Sequence, residues 1–489
     1  MKFRILAAVL GFSIALPLFA HEDPNGMQIT TRSRRAHILF EQGLEKMELL
    51  HQQAGLELWR QAVKADPNFA LAHICIAFFS QDPAEQVVER EKALATRKYS
   101  GTEEQLIIDW QANASQARWV PAIQAMNTAL SRYPHDKYLA WMAGWWLVLS
   151  QNQQVRAVGL FERVIQIDPK FPDAWNEVAY CYAKTDNFDK AFKAIQRYTE
   201  LVPNEANPQD SFAELSRMAG RFDEALKHYR MSLQIDPTFY ESQLGLGDTY
   251  ALMGDQPRAR TEYALAIQEG TPVQKVLWGL QWAATYVREG DFAGADLAYR
   301  SIAQQAHEQD FANYEAEALR SMALYQKDSA AAVELLNKAE TALQGDHKVS
   351  QQLLTEELAQ VWRTGVDRAV HDGDQTRSQA LLQKLSNLAA ANADDLIEVA
   401  YAGAAGAVYL AQGKYREAAA DFEGDPGNAV SMRGLVEAYE KSGQKDNAVK
   451  SASALVALNV PLIEQAVVVP EFRKQRTDSA ATFRSSSRL

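Results

Sequence analysis

The sequence predicts an all-α fold, an α-solenoid of eleven to twelve helix-turn-helix repeats, and three coincident columns of residues predict it. Ala157, Ala191, Ala225 and Ala259 follow one another at intervals of 34 residues. Four places after each stands a large apolar or aromatic residue: Phe161, Ile195, Tyr229 and Tyr263. Twelve places after the first three stands a proline: Pro169, Pro203 and Pro237. A small residue, a ring and a helix breaker in fixed order describe one supersecondary unit stacked on copies of itself.

Each column has a physical task. The unit's first helix ends at a glycine-plus-polar signal such as Gly220-Arg221 or Gly254-Asp255, since glycine takes the left-handed conformation at little cost. The alanine of the second helix lets two backbones approach, and the ring four residues on lies on the same face and fills the seam. Proline lacks an amide hydrogen and pushes the preceding residue out of helical geometry, so Ile-Asp-Pro at 167–169 and 235–237 closes the unit. In the first helices Ala179, Ala213, Gly247 and Ala283 hold the close-approach position, and Tyr182, Tyr250 and Tyr286 follow Ala179, Gly247 and Ala283 by three residues.

With these columns in place, the chain resembles the tetratricopeptide repeat family, whose pattern of Trp, Leu, Gly, Tyr, Ala, Phe/Tyr, Ala and Pro is met best between Tyr138 and Thr271, with Trp141 and Trp175 at its tryptophan position. The resemblance implies a right-handed superhelix with first helices lining the concave side and second helices the convex side. The stretch from Glu104 to Thr271 also resembles tetratricopeptide regions that follow bacterial kinase or regulator domains, which implies a bacterial origin and no activity.

Outside the strict block the units loosen. An earlier one runs through Trp59, Ala62 and Pro67, another through Ala122, Ala129 and Pro134, and a twelfth fits between Phe69 and Thr102. Later ones follow Gly290-Asp291, Lys327-Asp328, Gly373-Asp374 (to Leu382), Gly413-Lys414 and Gly443-Gln444, with stretched spacings between Ala332 and Ala448. The chain therefore divides into looser repeats over 35–135, a regular block over 136–310 and degenerate helical repeats over 311–460. A flexible segment, 21–34, and a basic Ser-rich tail, 461–489, flank them.

Residues 1–20 read as a secretory signal peptide: Lys2 and Arg4 precede an apolar run from Ile5 to Leu16, and small Ala20 precedes the polar His21-Glu22-Asp23. The run is short of the ~20 residues that span a membrane. The expected mature protein is exported, periplasmic or secreted. Removing Lys2 and Arg4 takes the net charge from −12 to −14, which disfavours nucleic acid as a partner. Of the 489 residues 47% are hydrophobic and 23% charged, a folded balance. Cys75 and Cys181, the two cysteines, stand some three repeats apart and read as buried thiols rather than a disulfide.

No catalytic constellation is present: no Gly-x-Ser-x-Gly elbow, no phosphate loop, no His-Glu-x-x-His pair. The nine histidines show no metal-ligand spacing, so no metal and no cofactor is expected. Cleavage after Ala20 would place an N-terminal amine beside the His21 imidazole, a copper-chelating pair that lacks an identifiable second histidine.

Function then rests on the concave face. The resemblance places Met142, Trp146, Asn176, Tyr180, Asp210, Glu214 and Asp248 inward, an aromatic-to-acidic stripe suited to a protein or peptide with apolar anchors and basic side chains. Those acids stand where chaperone-binding relatives clamp a carboxylate, which disfavours that role. Trp145 and Trp146 could equally fill a repeat seam. The main expectation is a non-enzymatic scaffold of the bacterial cell envelope. The alternatives are a part of a polysaccharide or surface-polymer secretion machine using Trp141 and Trp146, and an enzyme with a dispersed site in 333–460.

Overall fold

The computed structural model describes residues 27, 29–149, 152–345, 347–392 and 394–486, with side chains as far as 475. The expected signal peptide, His21 and the side chains of the last basic residues lie outside the described residues.

The described residues form twenty-five α-helices, one 3-10 turn and no strand. The first twenty-four make twelve antiparallel pairs. They begin with α1 (Arg34–Glu48) and α2 (Gln52–Ala65), α3 (Ala70–Phe79) and α4 (Pro83–Thr96), and α5 (Thr102–Ala114) and α6 (Trp119–Arg132). The regular block supplies α7 (Lys137–Leu149) and α8 (Gln154–Ile167), α9 (Pro172–Lys184) and α10 (Phe188–Leu201), α11 (Asn207–Met218) and α12 (Phe222–Ile235), α13 (Tyr240–Met253) and α14 (Gln256–Glu269), and α15 (Pro272–Glu289) and α16 (Phe292–Glu308). The last four pairs are α17 (Ala312–Tyr325) with α18 (Ser329–Ala342), α19 (Gln351–His371) with α20 (Gln375–Ala391), α21 (Asp395–Ala411) with α22 (Tyr415–Glu423), and α23 (Ala429–Lys441) with α24 (Lys445–Val456). A final helix, α25 (Ile463–Ser486), follows. The expected twelfth unit between Phe69 and Thr102 is α3 with α4.

The repeat columns do the packing assigned to them. Ala157, Ala191, Ala225 and Ala259 are fully buried, as are the residues four places on. Gly254 ends α13 in the left-handed region at φ +93°, where its amide bonds the last-turn carbonyls. The later period stretches because the helices lengthen: α19 has 21 residues and α20 has 17, against 13 and 14 for α9 and α10. There buried Ser378 takes the small-residue position and Leu382 the one four places on.

Successive first helices touch along the array, α9 with α11, α11 with α13 and α15 with α17, so they form its inner wall. The array winds back onto itself after seven pairs. The Gln352 amide donates to the Ser115 carbonyl at 3.1 Å, and Gln153 Nε2 donates to Asp395 at 2.5 Å.

Two expectations change. The segment before α1 is anchored: Met27 and Ile29 are buried, the Thr30 amide donates to Glu104 at 2.8 Å, and Thr31 Oγ1 donates to Asp66 at 2.5 Å. Residues 461–489 do not begin as a flexible tail. Ile463, Ala466, Val468 and Val469 supply an apolar face at helical spacing, and α25 buries it inside the array against α15, α17, α23 and α24. The tail reading took its character from the arginines and serines further on and missed that face.

Candidate functional site: the concave groove

The seven expected residues lie on first helices, α7, α9, α11 and α13, but little of the stripe is open. Met142 and Trp146 are buried, and Trp146 lies among Trp110 and Trp119 with ring centroids 5.6 and 6.0 Å away. Trp141 is buried too, stacked on Phe79 at 5.2 Å, and its indole N–H donates to Asp173 at 2.5 Å. These rings fill the seam between pairs; they do not offer faces to a sugar or a peptide. Asn176 is buried and donates to Glu177 at 3.0 Å.

The remaining four residues do come together, around an arginine the sequence reading passed over. Tyr180 Oη donates to Glu214 at 2.9 Å, Arg217 donates to the other Glu214 oxygen at 2.7 Å, and Asp248 lies 3.9 Å from Arg217. Tyr263 Oη donates to Asp248 at 2.6 Å, and Ser242 Oγ donates to Asp210 at 2.6 Å. Burial pushes the Asp210 carboxyl up to about 8 against the Ser242 hydrogen bond, and Asp248 up to about 6 against Arg217 and Tyr263. Near neutral pH Asp210 therefore carries little charge. Burial disfavours the Arg217 cation, yet Tyr229, Asp248 and Glu214 around it outweigh this and hold its pKa above the usual value.

Arg217 is the first of a ladder. Arg288 on α15, half-buried, and Arg320 on α17 and Arg363 on α19, both buried, also stand on first helices. Arg217 Nη1 donates to the Asn459 carbonyl at 3.3 Å. Arg288 donates to the Leu462 carbonyl at 3.3 Å and to Gln465 Oε1. Arg320 bridges Glu357 at 2.8 Å and Glu464 at 3.0 Å. Arg363 pairs with Asp425 at 2.9 Å and Ser431 at 2.8 Å. The groove is thus occupied by residues 459–465 of the same chain, gripped by arginines. The acids Glu214 and Asp248 of the stripe are paired from within by Arg217, and Arg320 and Arg363 are likewise paired with carboxylates. The signal available in the sequence was an arginine three residues after an acid on a first helix, as in Glu214/Arg217 and Glu317/Arg320.

In the degenerate half, half-buried Glu356 interacts with Asp394, and desolvation first, then Asp394, raises its pKa well above the usual value. Glu356 borders a cavity of about 220 Å³ with Arg90, Gln111, Trp146 and Ser350, and no histidine lines it. Among the described residues no group of three or more His, Cys, Asp or Glu side chains could hold a metal, and no helix is long and apolar enough to cross a membrane. Cys75 and Cys181 are free and buried; burial pushes the Cys181 thiol up to about 12.

Residues 148–211 match the model of the tetratricopeptide repeat family. That segment is similar to tetratricopeptide repeats. It runs from the end of α7 to the start of α11, the centre of the strict block. Among curated proteins, the chain is 34% identical to anaphase-promoting complex subunit CDC16 of Saccharomyces cerevisiae over 106 residues, 21% of this chain and 13% of that one. It is 24% identical to Hsp70-Hsp90 organizing protein 1 of Glycine max over 264 residues, 51% of this chain and 44% of that one. The chain thus spans less than half the length of these relatives. Among solved structures, the anaphase-promoting complex hetero-tetramer Cut9-Hcn1 aligns over 89% of this chain and 76% of its own at 14% identity, with a TM-score of 0.42.

Proposed function

We propose that this protein is a non-enzymatic interaction scaffold of the bacterial cell envelope, exported to the periplasm, that binds a protein partner through its concave groove. The observation that carries the reading is the groove's present content. Its inner wall holds a polypeptide segment by main-chain carbonyls and side chains together, which is the chemistry of peptide recognition. The tetratricopeptide relatives named for assemblies, a subunit of the anaphase-promoting complex and an organizing protein of two chaperones, support the same reading. The buried positions of Trp141 and Trp146 give no support to the sugar-stacking alternative.

The test is a photo-crosslinking residue placed at Met218, beside Asn459 on the groove rim, and at Leu297, which is 74% exposed on α16. In bacterial cells the Met218 position is expected to give a discrete cross-linked protein in the periplasmic fraction, and the Leu297 position none. Cross-links at Leu297 alone, or at neither, would refute the groove, and cytoplasmic fractionation would refute export.

A further inference from the structure

The contacts made by α25 are more than those of a lid on the last pair. Val468 and Val469 pack with Ala429, Met432 and Leu455, and Arg473 donates to the Val456 carbonyl at 2.6 Å. These cover the end of the array, as a terminal cap must. The preceding residues reach much further back. Asn459 meets α11, Leu462 and Gln465 meet α15, and Glu464 meets α17, helices that lie three to six pairs before the chain's last pair. Capping α24 requires none of these contacts.

At two of its arginines the groove can lose this occupant without leaving a bare buried charge. Arg217 keeps Glu214 at 2.7 Å and Arg320 keeps Glu357 at 2.8 Å, both from the array itself. Removing one partner of a buried ion pair is costly because the other charge is stranded. Arg217 and Arg320 thus each have a resident partner, so exchange of the segment removes a second partner from them and not the first, while Arg288 gives up its bonds to Leu462 and Gln465. The segment itself is irregular over 457–462, with Leu462 46% exposed, before it turns helical at Ile463.

We propose that residues 459–466 are an internal ligand, and that the groove receives from a protein partner a segment of the same chemistry, displacing them. That chemistry is read off the occupant: two carbonyls at the entry to a helix that accept from arginines, those of Asn459 and Leu462, then an aliphatic residue, an acid, an amide and a small residue, as in Ile463-Glu464-Gln465-Ala466. The aliphatic and small residues enter the apolar wall that includes Val276, Leu280 and Met322, and the acid meets Arg320. The inference rests on the scaffold reading above and adds the kind of partner and how the site is kept closed.

A fluorescein-labelled peptide spanning Ala457 to Gln475 tests it, titrated into the full chain and followed by anisotropy. In the parent the tethered copy competes at an effective concentration of order millimolar, so no uptake is expected at micromolar peptide. In full-length Ile463→Asp/Glu464→Arg, whose own segment is weakened, uptake at least tenfold tighter than in the parent is expected. Adding Arg288→Ala and Arg320→Ala should abolish it. If circular dichroism shows the double variant unfolded, Glu464→Gln serves in its place. A folded, weakened chain that takes up no peptide would overturn the proposal and make the segment a fixed part of the fold. Uptake indifferent to the two arginines would overturn the groove assignment. Cross-linking at Met218 without peptide uptake sinks only the displacement, whereas peptide uptake without any cross-linked protein sinks the scaffold reading.

Discussion

Three glycine-to-alanine substitutions separate the close approaches that hold the array together from a glycine that does nothing of the kind. A Cβ at Gly245 would lie 2.2 Å from Cε1 and Cζ of Tyr229, the ring of the preceding pair. One at Gly247 would lie 2.8 Å from Cδ1 and Cε1 of Tyr263, the ring of its own pair. One at Gly159 would meet nothing within 4 Å. Ordinary carbon contacts sit near 3.5 to 4 Å, so Gly245→Ala demands a shift of about 1.3 Å and Gly247→Ala about 0.7 Å. Neither ring can yield easily: Tyr229 and Tyr263 are 2% and 1% exposed, and Tyr263 is tied to Asp248 at 2.6 Å. Overpacking costs about 1 to 3 kcal/mol, and replacing a mid-helix glycine by alanine returns about 1 kcal/mol. The expected net effects are a loss of about 2 kcal/mol for Gly245→Ala, a loss of up to about 1 kcal/mol for Gly247→Ala, and a gain of up to about 1 kcal/mol for Gly159→Ala. Urea unfolding followed by tryptophan fluorescence and far-ultraviolet circular dichroism reads the order, and hydrogen exchange in α13 localises it, since long repeat arrays need not unfold in one step. If Gly245→Ala and Gly247→Ala are as stable as Gly159→Ala, the close-approach argument is wrong.

Two further outcomes are expected. Asp210, held at about 8 by burial, and Asp173, raised to about 7 by burial against the Trp145 and Trp141 N–H bonds, keep protons in the folded chain that the unfolded chain releases near pH 4. Between those values stability falls as pH rises, by up to about 1.4 kcal/mol per pH unit for each such group. The thermal midpoint should therefore be higher at pH 5.5 than at pH 8.5, and Asp210→Asn should flatten part of that slope. A midpoint that rises with pH across this window would refute the assignment. Buried Arg217 offers the second test. Arg217→Ala should cost about 3 to 5 kcal/mol in urea unfolding, because Glu214 and Asp248 lose their shared cation and the Asn459 carbonyl loses its donor. A loss under about 1 kcal/mol would show the cluster to be solvated.

The repeat and the electrostatics of the groove differ in how far apart their causes lie in the chain. Ala225, Tyr229 and Pro237 act within one unit, and Tyr229 against Gly245 acts between neighbours, so a period of 34 residues carries nearly all of that packing in local sequence. The twelve pairs were legible for this reason, down to the unit formed by α3 and α4. Where helices lengthen, as in α19 and α20, the period stretched while Ser378 kept the same task. The content of the groove had no such local trace. Arg217 meets Asn459 across 242 residues, and Arg320 meets Glu464 across 144. Those encounters depend on a rotation repeated at each pair until the array closes on itself after seven. A small change in that rotation would leave every repeat column intact and carry α25 away from α15. The sequence by itself determined a stack of helix pairs. Only the tertiary structure decided that Met142, Trp146 and Asn176 are core, that the acids of the stripe answer to Arg217, and that the chain's own C-terminal helix lies in the groove, because winding sums over many repeats what each encodes alone.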